Sequence, residues 1–592
     1  MHLRWRFFVT KLSIASNRQA NVSIVLMETE NVSMQIAAKE LAHFLKRITD
    51  ADFAVSGNCD GAAIRLAVDQ TLAEEAYRIV CSESGLKISG GSDRGLHYGV
   101  YGFLEDVLGV RFYTHDVTKA PKCRELILDE MDITDAPAFE YRYCDYGMPS
   151  EWRIRNRMNA GIAGIHGGSR TYALFVHSFY TLVPPEQYFG THPEYFSMVD
   201  GKRSHHRSQL CLTNPEVIEI ATERVKQYLR QNPDAELISV SQNDCYNPCQ
   251  CPECARIDAE NGSHSGSLLY FVNAVAAGIE KEFPHIVVDT LAYQYTRKPP
   301  KVLRPRHNVC VRLCSIECCF GHPMASCHHA ASFEKIAKTS DSTFQEDLIG
   351  WGKICNRVYI WDYTTNYAHY WLPFPNFHVI GPNMRFFAEN NVKGVFEEGN
   401  IHGVSPDMTE MRTWLLAKLM WNPDFDVEQG IFEFTETVYG SAAGEIRAYI
   451  KLLETRVTEG NIHFGIYEFP FIGYLDEETL TKAQALLTAA QTKQLTLSQR
   501  VYVEKAALCV EYAVVAQNVL MGNKDLDRVD AMLEKARTLG IDRISEWLDW
   551  DAFRRVFLDW DPTKSIVENL AGIASFADIT PLLDVENVIH IS

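Results

Sequence analysis

The stretch ISVSQNDCYNPCQCPEC, residues 238–254, decides how this chain is read. An apolar run passes into Asn243 and Asp244, and then into Cys245, Cys249, Cys251 and Cys254. The stretch is either a metal knuckle or the end of a barrel strand that presents a catalytic acid. Its surroundings favour the second reading. From about residue 137 to about 425, short apolar runs alternate with helix-length amphipathic segments, the pattern of βα units. Eight runs read as strands: FEYRYCDYG, AGIAGIHGG, EYFSMV, ELISVSQND, IVVDTLAYQ, NVCVRLCSIE, RVYIWDY and VKGVFEEGN. Eight such units are what a (β/α)8 TIM-like barrel requires, and ELISVSQND is the fourth.

The flanks differ in pattern. Residues 1–135 read as a small α/β domain, with a strand in VSIVLMET and a helix in SMQIAAKELAHFLKRIT that puts Ala37, Leu41, Phe44 and Leu45 on one face. Its GGSDRG loop lacks the Lys-Ser/Thr of a P-loop and reads as a tight turn feeding a helix that ends near Gly109. Residues 136–425 form the expected catalytic barrel, with helix caps at Asn214 and Asp407. Residues 426–592 are amphipathic throughout and predict a helical accessory domain. The expected class is therefore α/β, with a central TIM-like barrel, an N-terminal α/β domain and a C-terminal helical domain.

Composition narrows the partners. A formal net charge of −19 opposes nucleic-acid binding, which needs a Lys/Arg excess to neutralise phosphates. No run of apolar residues reaches the length of a membrane span. The opening MHLRWRFFVTKLSIASN has basic residues near its front, but Lys11 interrupts its apolar part. Cysteines such as Cys310 and Cys314 lie inside apolar strand-like runs, where reduced buried thiols are ordinary, so the expected location is cytoplasmic, with periplasm or secretion as alternatives.

In a barrel of this type chemistry sits at the C-terminal ends of the strands. The fourth strand ends in Asn243-Asp244, the sixth in Glu317, the seventh in Trp361-Asp362-Tyr363 and the eighth in Glu397-Glu398, followed by Asn400. Carboxylates converging on one rim push each other's pKa values apart, which suits a general acid paired with a nucleophile. Tyr293, Trp361, Tyr363, Asn366, His369, Asn243 and Asn400 supply apolar faces and hydrogen bonds that suit a sugar. Glycosidic cleavage needs two carboxyl groups of this kind. Successive strand side chains alternate faces, so Glu397 and Glu398 cannot both point inward. Glu398 shares a face with Gly394 and Phe396, which favours it over Glu397.

These motifs carry a family resemblance. YRIVCSESGLKISGGSDRGLHYGVYGFLEDVLGVRFY resembles the small domain that precedes the barrel in α-glucuronidases and β-hexosaminidases. THPEYFSMVDGKR, VSQNDCYNPCQCPEC, IWDYTTNYAHY and VKGVFEEGN resemble the bacterial domain of unknown function 4838, which includes glycoside hydrolase family 163. The resemblance implies a retaining endo-β-N-acetylglucosaminidase that cleaves the GlcNAc–mannose bond in the antennae of complex N-glycans, on free oligosaccharides or glycoproteins. It also implies an acid/base carboxylate after an asparagine at the fourth strand. Asp244 is assigned as acid/base and Glu398 as nucleophile, with Glu317 and Glu397 as their alternates and Asp362 orienting the sugar. An exo-acting hexosaminidase or α-glucuronidase, and a barrel that only binds carbohydrate, are the alternative readings.

No cofactor is expected. A structural zinc at Cys249, Cys251 and Cys254 is the rival reading of the opening stretch, set against an ordinary thiol-bearing loop because four cysteines crowded into one short loop surround an ion poorly. His322, His328 and His329 beside Cys318, Cys319 and Cys327 read either as a metal site or as a lid loop over the barrel mouth.

Overall fold

The computed structural model describes residues 11–58, 60–329, 342–400, 404–546, 554–555 and 559–564. The front of the candidate leader, residues 1–10, lies outside them, and a strand begins at Lys11. The chain divides into two compact units, one of residues 1–143, 148–169 and 417–422, the other of residues 144–147, 170–416 and 423–592.

The first unit holds a six-stranded sheet in the order Met131–Asp135, Tyr77–Ser82, Gly85–Gly90, Ala63–Val68, Ser23–Leu26 and Val55–Ser56. The helix Val32–Thr49 starts where the Asn31 side chain accepts the Met34 N–H at 2.9 Å. Ala37, Leu41, Phe44 and Leu45 are all buried in the core, as their spacing requires. In the GGSDRG turn, a Cβ on Gly90 would lie 1.9 Å from the Leu96 nitrogen, and one on Gly91 1.9 Å from the Ala73 carbonyl oxygen. Close backbone approach, not phosphate binding, therefore explains the glycines. Ser92 then caps the helix Asp93–Gly102 by accepting the Gly95 N–H at 3.1 Å. The chain leaves through Gly109 at φ +72°, where the sequence places the end of the helix.

The second unit is built on a curled, mostly parallel sheet. Its strands are β1 (Tyr141–Asp145), β2 (Leu237–Ser239), β3 (Val287–Ala292), β4 (Val309–Cys314), β5 (Val358–Tyr363) and β6 (Val392–Glu398), in the order β1-β6-β5-β4-β3-β2. Cys144 and Asp145 are the β1 residues assigned to this unit. The pairs from β2 through β6 are parallel, and Tyr172 adds a parallel bridge to Leu237 at the far edge. Amphipathic helices cross between strands, among them Pro215–Gln231, Ser265–Glu280, Phe344–Ile354 and Phe377–Glu389. Among the described residues the result is a half-barrel, and the closed eight-stranded barrel expected is not formed.

Two expected strands account for the difference. AGIAGIHGG forms a bend with a short 3-10 turn at Gly164–His166, and Gly161, Gly167 and Gly168 all take positive φ, which breaks an extended ladder. EYFSMV contributes only Met198–Val199, paired antiparallel with Lys202–Arg203 in a small hairpin. Asn214 caps its helix as expected, accepting the Glu216 N–H at 2.9 Å. Asp407 instead pairs with Arg412 at 2.8 Å, two residues ahead of the helix Thr409–Trp421. Beyond residue 426 the described elements are helical, including Ala443–Gly460, Glu477–Gln491 and Leu497–Leu520.

Candidate active site

Strand alternation sorts the acids before any other force acts. In the β5–β6 register Trp361 lies opposite Phe396 and Tyr363 opposite Glu398, while Asp362 lies opposite Glu397. Trp361, Phe396 and Glu398 therefore share one face, and Asp362 and Glu397 the other. Arg312 identifies the first face as the inside of the curl: its guanidinium lies 5.5–5.8 Å from the rings of Tyr172, Phe175, Tyr359, Trp361 and Phe396. Arg312 and Asp289 are both fully buried and paired at 3.0 Å, so the charge is neutralised where it cannot be hydrated. Tyr172 joins them, its hydroxyl hydrogen-bonded to both partners. Phe175 stacks on Trp361 with ring centres 5.8 Å apart and remains 38% exposed, an apolar platform open to solvent.

At the rim above this floor Trp361 Nε1–H donates to Glu398 Oε2 at 2.6 Å. The loop after β5 grips the same residue from behind: Thr364 N–H and Oγ1–H donate to the Glu398 carbonyl at 3.1 and 2.6 Å, and Tyr367 Oη–H at 2.9 Å. Burial raises the Glu398 carboxyl well above the usual range; Glu546, Asp145 and Asp244 push the same way, and the Trp361 hydrogen bond opposes them. Asp244 is exposed at the end of the 237–244 segment and accepts the Tyr293 hydroxyl at 3.1 Å. Glu546 is pushed up to about 7 by burial and then by Asp244, with Arg543 opposing. Asp145, Asp244 and Glu546 thus each act on Glu398, and Asp244 acts on Glu546 as well.

Other expected site residues lie elsewhere or serve the scaffold. Glu397 and Asp362 face away from Glu398. Neither Glu397 carboxylate oxygen has a hydrogen-bond partner among the described residues, and burial, then Asp362, raises the group well above its ordinary value. Asp362 accepts Ser315 Oγ–H at 2.5 Å and the Tyr363 N–H at 2.9 Å, and burial pushes it up to about 6. Glu317 is paired with Arg297 at 3.2 Å, and Arg297 also holds Asp347 at 2.7 Å. Burial raises Glu317 while Arg297 opposes the shift, which describes a buried ion pair. Asn243 accepts the Tyr180 N–H at 3.2 Å and donates to the Ser208 carbonyl at 2.9 Å, so it braces the loop. Asn366 donates to the Glu468 carbonyl at 2.7 Å and accepts the His369 N–H at 3.0 Å. His369 Nδ1 lies 2.6 Å from the Tyr512 hydroxyl, and burial lowers its pKa to about 4. Asn400 and Tyr363 are buried beside the rim.

Two rim acids escaped the sequence reading. Asp145 ends the strand Tyr141–Asp145 inside the run FEYRYCDYG, so a polar strand terminus like the one that marked Asp244 was present there too. Glu546 lies beyond residue 540, in the region read as an accessory domain, and nothing local marks it. Its backbone N–H donates to the Tyr367 carbonyl at 2.9 Å, which ties it to the loop that grips Glu398.

The family model described as a domain of unknown function, DUF4838, matches residues 112–451. The chain belongs to this family. Ahead of it, residues 9–105 match the model described as glycosyl hydrolase family 20, domain 2. No curated protein matches the DUF4838 chain. A solved family GH115 4-O-methyl-α-glucuronidase with specificity for decorated arabinogalactans is similar with a TM-score of 0.55 at 14% identity, over 90% of this chain and 76% of that one. A GH20 exo-β-N-acetylglucosaminidase from Vibrio harveyi gives a TM-score of 0.41 at 12% identity, over 72% and 75% of the two chains. The first of these shows a shared overall fold.

Proposed function

We propose that the protein is a glycoside hydrolase whose working pair is Glu398 and Asp244. The observation that carries this reading is the placement of Glu398. It stands at the C-terminal end of a parallel strand, on the inner face, held by an indole N–H above an aromatic floor and electrostatically coupled to an exposed second carboxylate. Cleavage needs one carboxyl group that carries a proton to the leaving oxygen and one that attacks or activates water. The upward shift of Glu398 suits it to holding the proton, with Asp244 as the partner carboxylate. This reverses the roles expected from the sequence, because burial disfavours the ionised form that a nucleophile needs.

The substrate we favour is a β-linked N-acetylglucosamine in the antennae of a complex N-glycan, cleaved with retention. A neutral sugar suits a rim of four carboxyl groups, whereas a uronic acid would be repelled by them. The family 20 domain match and the GH115-like fold support glycosidase chemistry, and the resemblance to family 163 supports the endo cut.

Incubation with a defined biantennary glycan tests the specificity. The expected products are an oligosaccharide ending in N-acetylglucosamine and a trimmed core; release of monosaccharide alone would overturn the endo reading. Azide tests the roles. Asp244→Ala supplied with azide is expected to form the α-glycosyl azide, and Glu398→Ala the β-glycosyl azide, while exchanged products would restore the roles read from sequence.

A further inference from the structure

We propose that Cys211, Cys249, Cys251 and Cys254 bind one structural zinc ion. Their four sulfurs all lie within 4.8 Å of one another and all four residues are buried. Tetrahedral zinc with Zn–S bonds of about 2.3 Å requires sulfurs about 3.8 Å apart, and Cys211 Sγ lies 3.7 Å from Cys251 Sγ. The objection that four crowded cysteines cannot surround an ion disappears because Cys245 is not one of them. Its Sγ turns to the Ser208 carbonyl at 3.5 Å, and Cys211, from a separate segment, takes the fourth corner.

The surroundings are those of a thiolate site. Met198 N–H points at Cys249 Sγ at 3.3 Å and Arg203 Nη1 at 3.6 Å, both from the Met198–Val199/Lys202–Arg203 hairpin. Thr213 Oγ1 lies 3.2 Å from Cys254 Sγ. N–H donors and one cation stabilise the negative charge that four thiolates place on a divalent ion. Cys251 precedes the first residue of the helix Pro252–Asn261, where the helix dipole also favours a thiolate. The ion would join the segment of Cys211 to the 249–254 loop at a point where, among the described residues, Met198 is the one apolar side chain packed on the cysteines. The same segments hold the rim: Gln209 accepts the Asn243 N–H at 2.9 Å and donates to the Cys245 carbonyl at 2.6 Å, on either side of Asp244.

The test is the zinc content of the purified full-length chain by elemental mass spectrometry. Cys211→Ser and Cys254→Ser are each expected to lose one equivalent relative to wild type, while Cys254→His keeps it and Cys245→Ser leaves it unchanged. If the serine variants aggregate, titrating the thiols of a Cys327→Ser chain, which lacks one ligand of the separate cluster of Cys319, His322, Cys327 and His463, with an organomercurial in the presence of a chromogenic chelator reads the same equivalent. A wild-type chain that releases no zinc, or a disulfide between any two of these four cysteines in a non-reducing peptide map, would overturn the proposal.

A second cluster carries an independent inference of the same kind. Cys319, His322, Cys327 and His463 also present four ligand atoms within 4.8 Å of one another. Cys319 Sγ lies 3.4 Å from His322 Nδ1, and Cys327 Sγ 3.6 Å from His463 Nδ1. We infer a Cys2His2 zinc site that fastens the loop after β4 to the helical region, where Phe320 N–H already donates to the Phe464 carbonyl at 2.9 Å. Cys327→Ser is expected to remove an equivalent distinct from that lost in Cys254→Ser, so the double variant loses two. A double variant that loses no more than Cys254→Ser alone would overturn it.

Discussion

Adjacent residues on β6 meet different fates because a strand alternates faces. Glu398 enters the curl, where Trp361 holds it and burial, then three other acids, raise it. Glu397 turns the other way and is buried against Asp362 with no hydrogen bond to either oxygen. A buried carboxyl group with a raised native pKa costs nothing extra while both states hold the proton; stability falls as pH climbs from the unfolded pKa toward the native one. Glu397→Gln is therefore expected to stabilise the protein at pH 8 by ~1–2 kcal/mol and to leave it unchanged at acid pH, where Glu397 already carries a proton. Equal thermal denaturation midpoints for variant and wild type at pH 8 would contradict this. Glu398→Gln and Asp244→Asn are expected to lower kcat by about 10²–10⁴ while retaining the fold, the range that general acid–base groups supply. The preference for Glu398 on the inner face was legible from the small Gly394 and the alternation alone. The partnerships of Glu317 and Asn243 were not, because Arg297 and Ser208 are distant in sequence from them.

At the level of elements, the parallel strands were legible because they are continuous apolar runs. VCVRLC is buried at every position, with Arg312 tolerated only because Asp289 from β3 meets it. AGIAGIHGG and EYFSMV misled because apolar content imitates a strand, whereas positive-φ glycines and a hairpin decide the backbone. The junction of β6 with its loop is the element on which the site depends. A Cβ on Gly399 would lie 2.5 Å from the Tyr146 ring, and the Tyr146 hydroxyl is 2.6 Å from Thr364 Oγ1, which itself donates to the Glu398 carbonyl. Gly399→Ala is expected to shift that ring and lower kcat by about 10²-fold, as displacements near 1 Å do in active sites, with the circular dichroism spectrum preserved. Wild-type turnover in this variant would show that the loop's grip does not position the acid.

Over the whole second unit, the rim draws acids from β1, the segment after β2, the end of β6 and the far C-terminal region. The last contribution was invisible in the sequence because Glu546 lies nearly 150 residues beyond Glu398, in a stretch with no strand-end pattern. Its charge raises Glu398, so Glu546→Gln is expected to lower the Glu398 pKa and move the alkaline limb of kcat/KM to lower pH. An unmoved limb would remove Glu546 from the account. The claim that unites these scales is that the inner face of the curl performs the chemistry. The most direct measurement compares new reducing ends released from a biantennary N-glycan by wild type, Glu398→Gln and Glu397→Gln. The account predicts that Glu398→Gln loses at least about 10²-fold while its neighbour's variant stays near wild type; the reverse order, or equal activity in all three proteins, would contradict it.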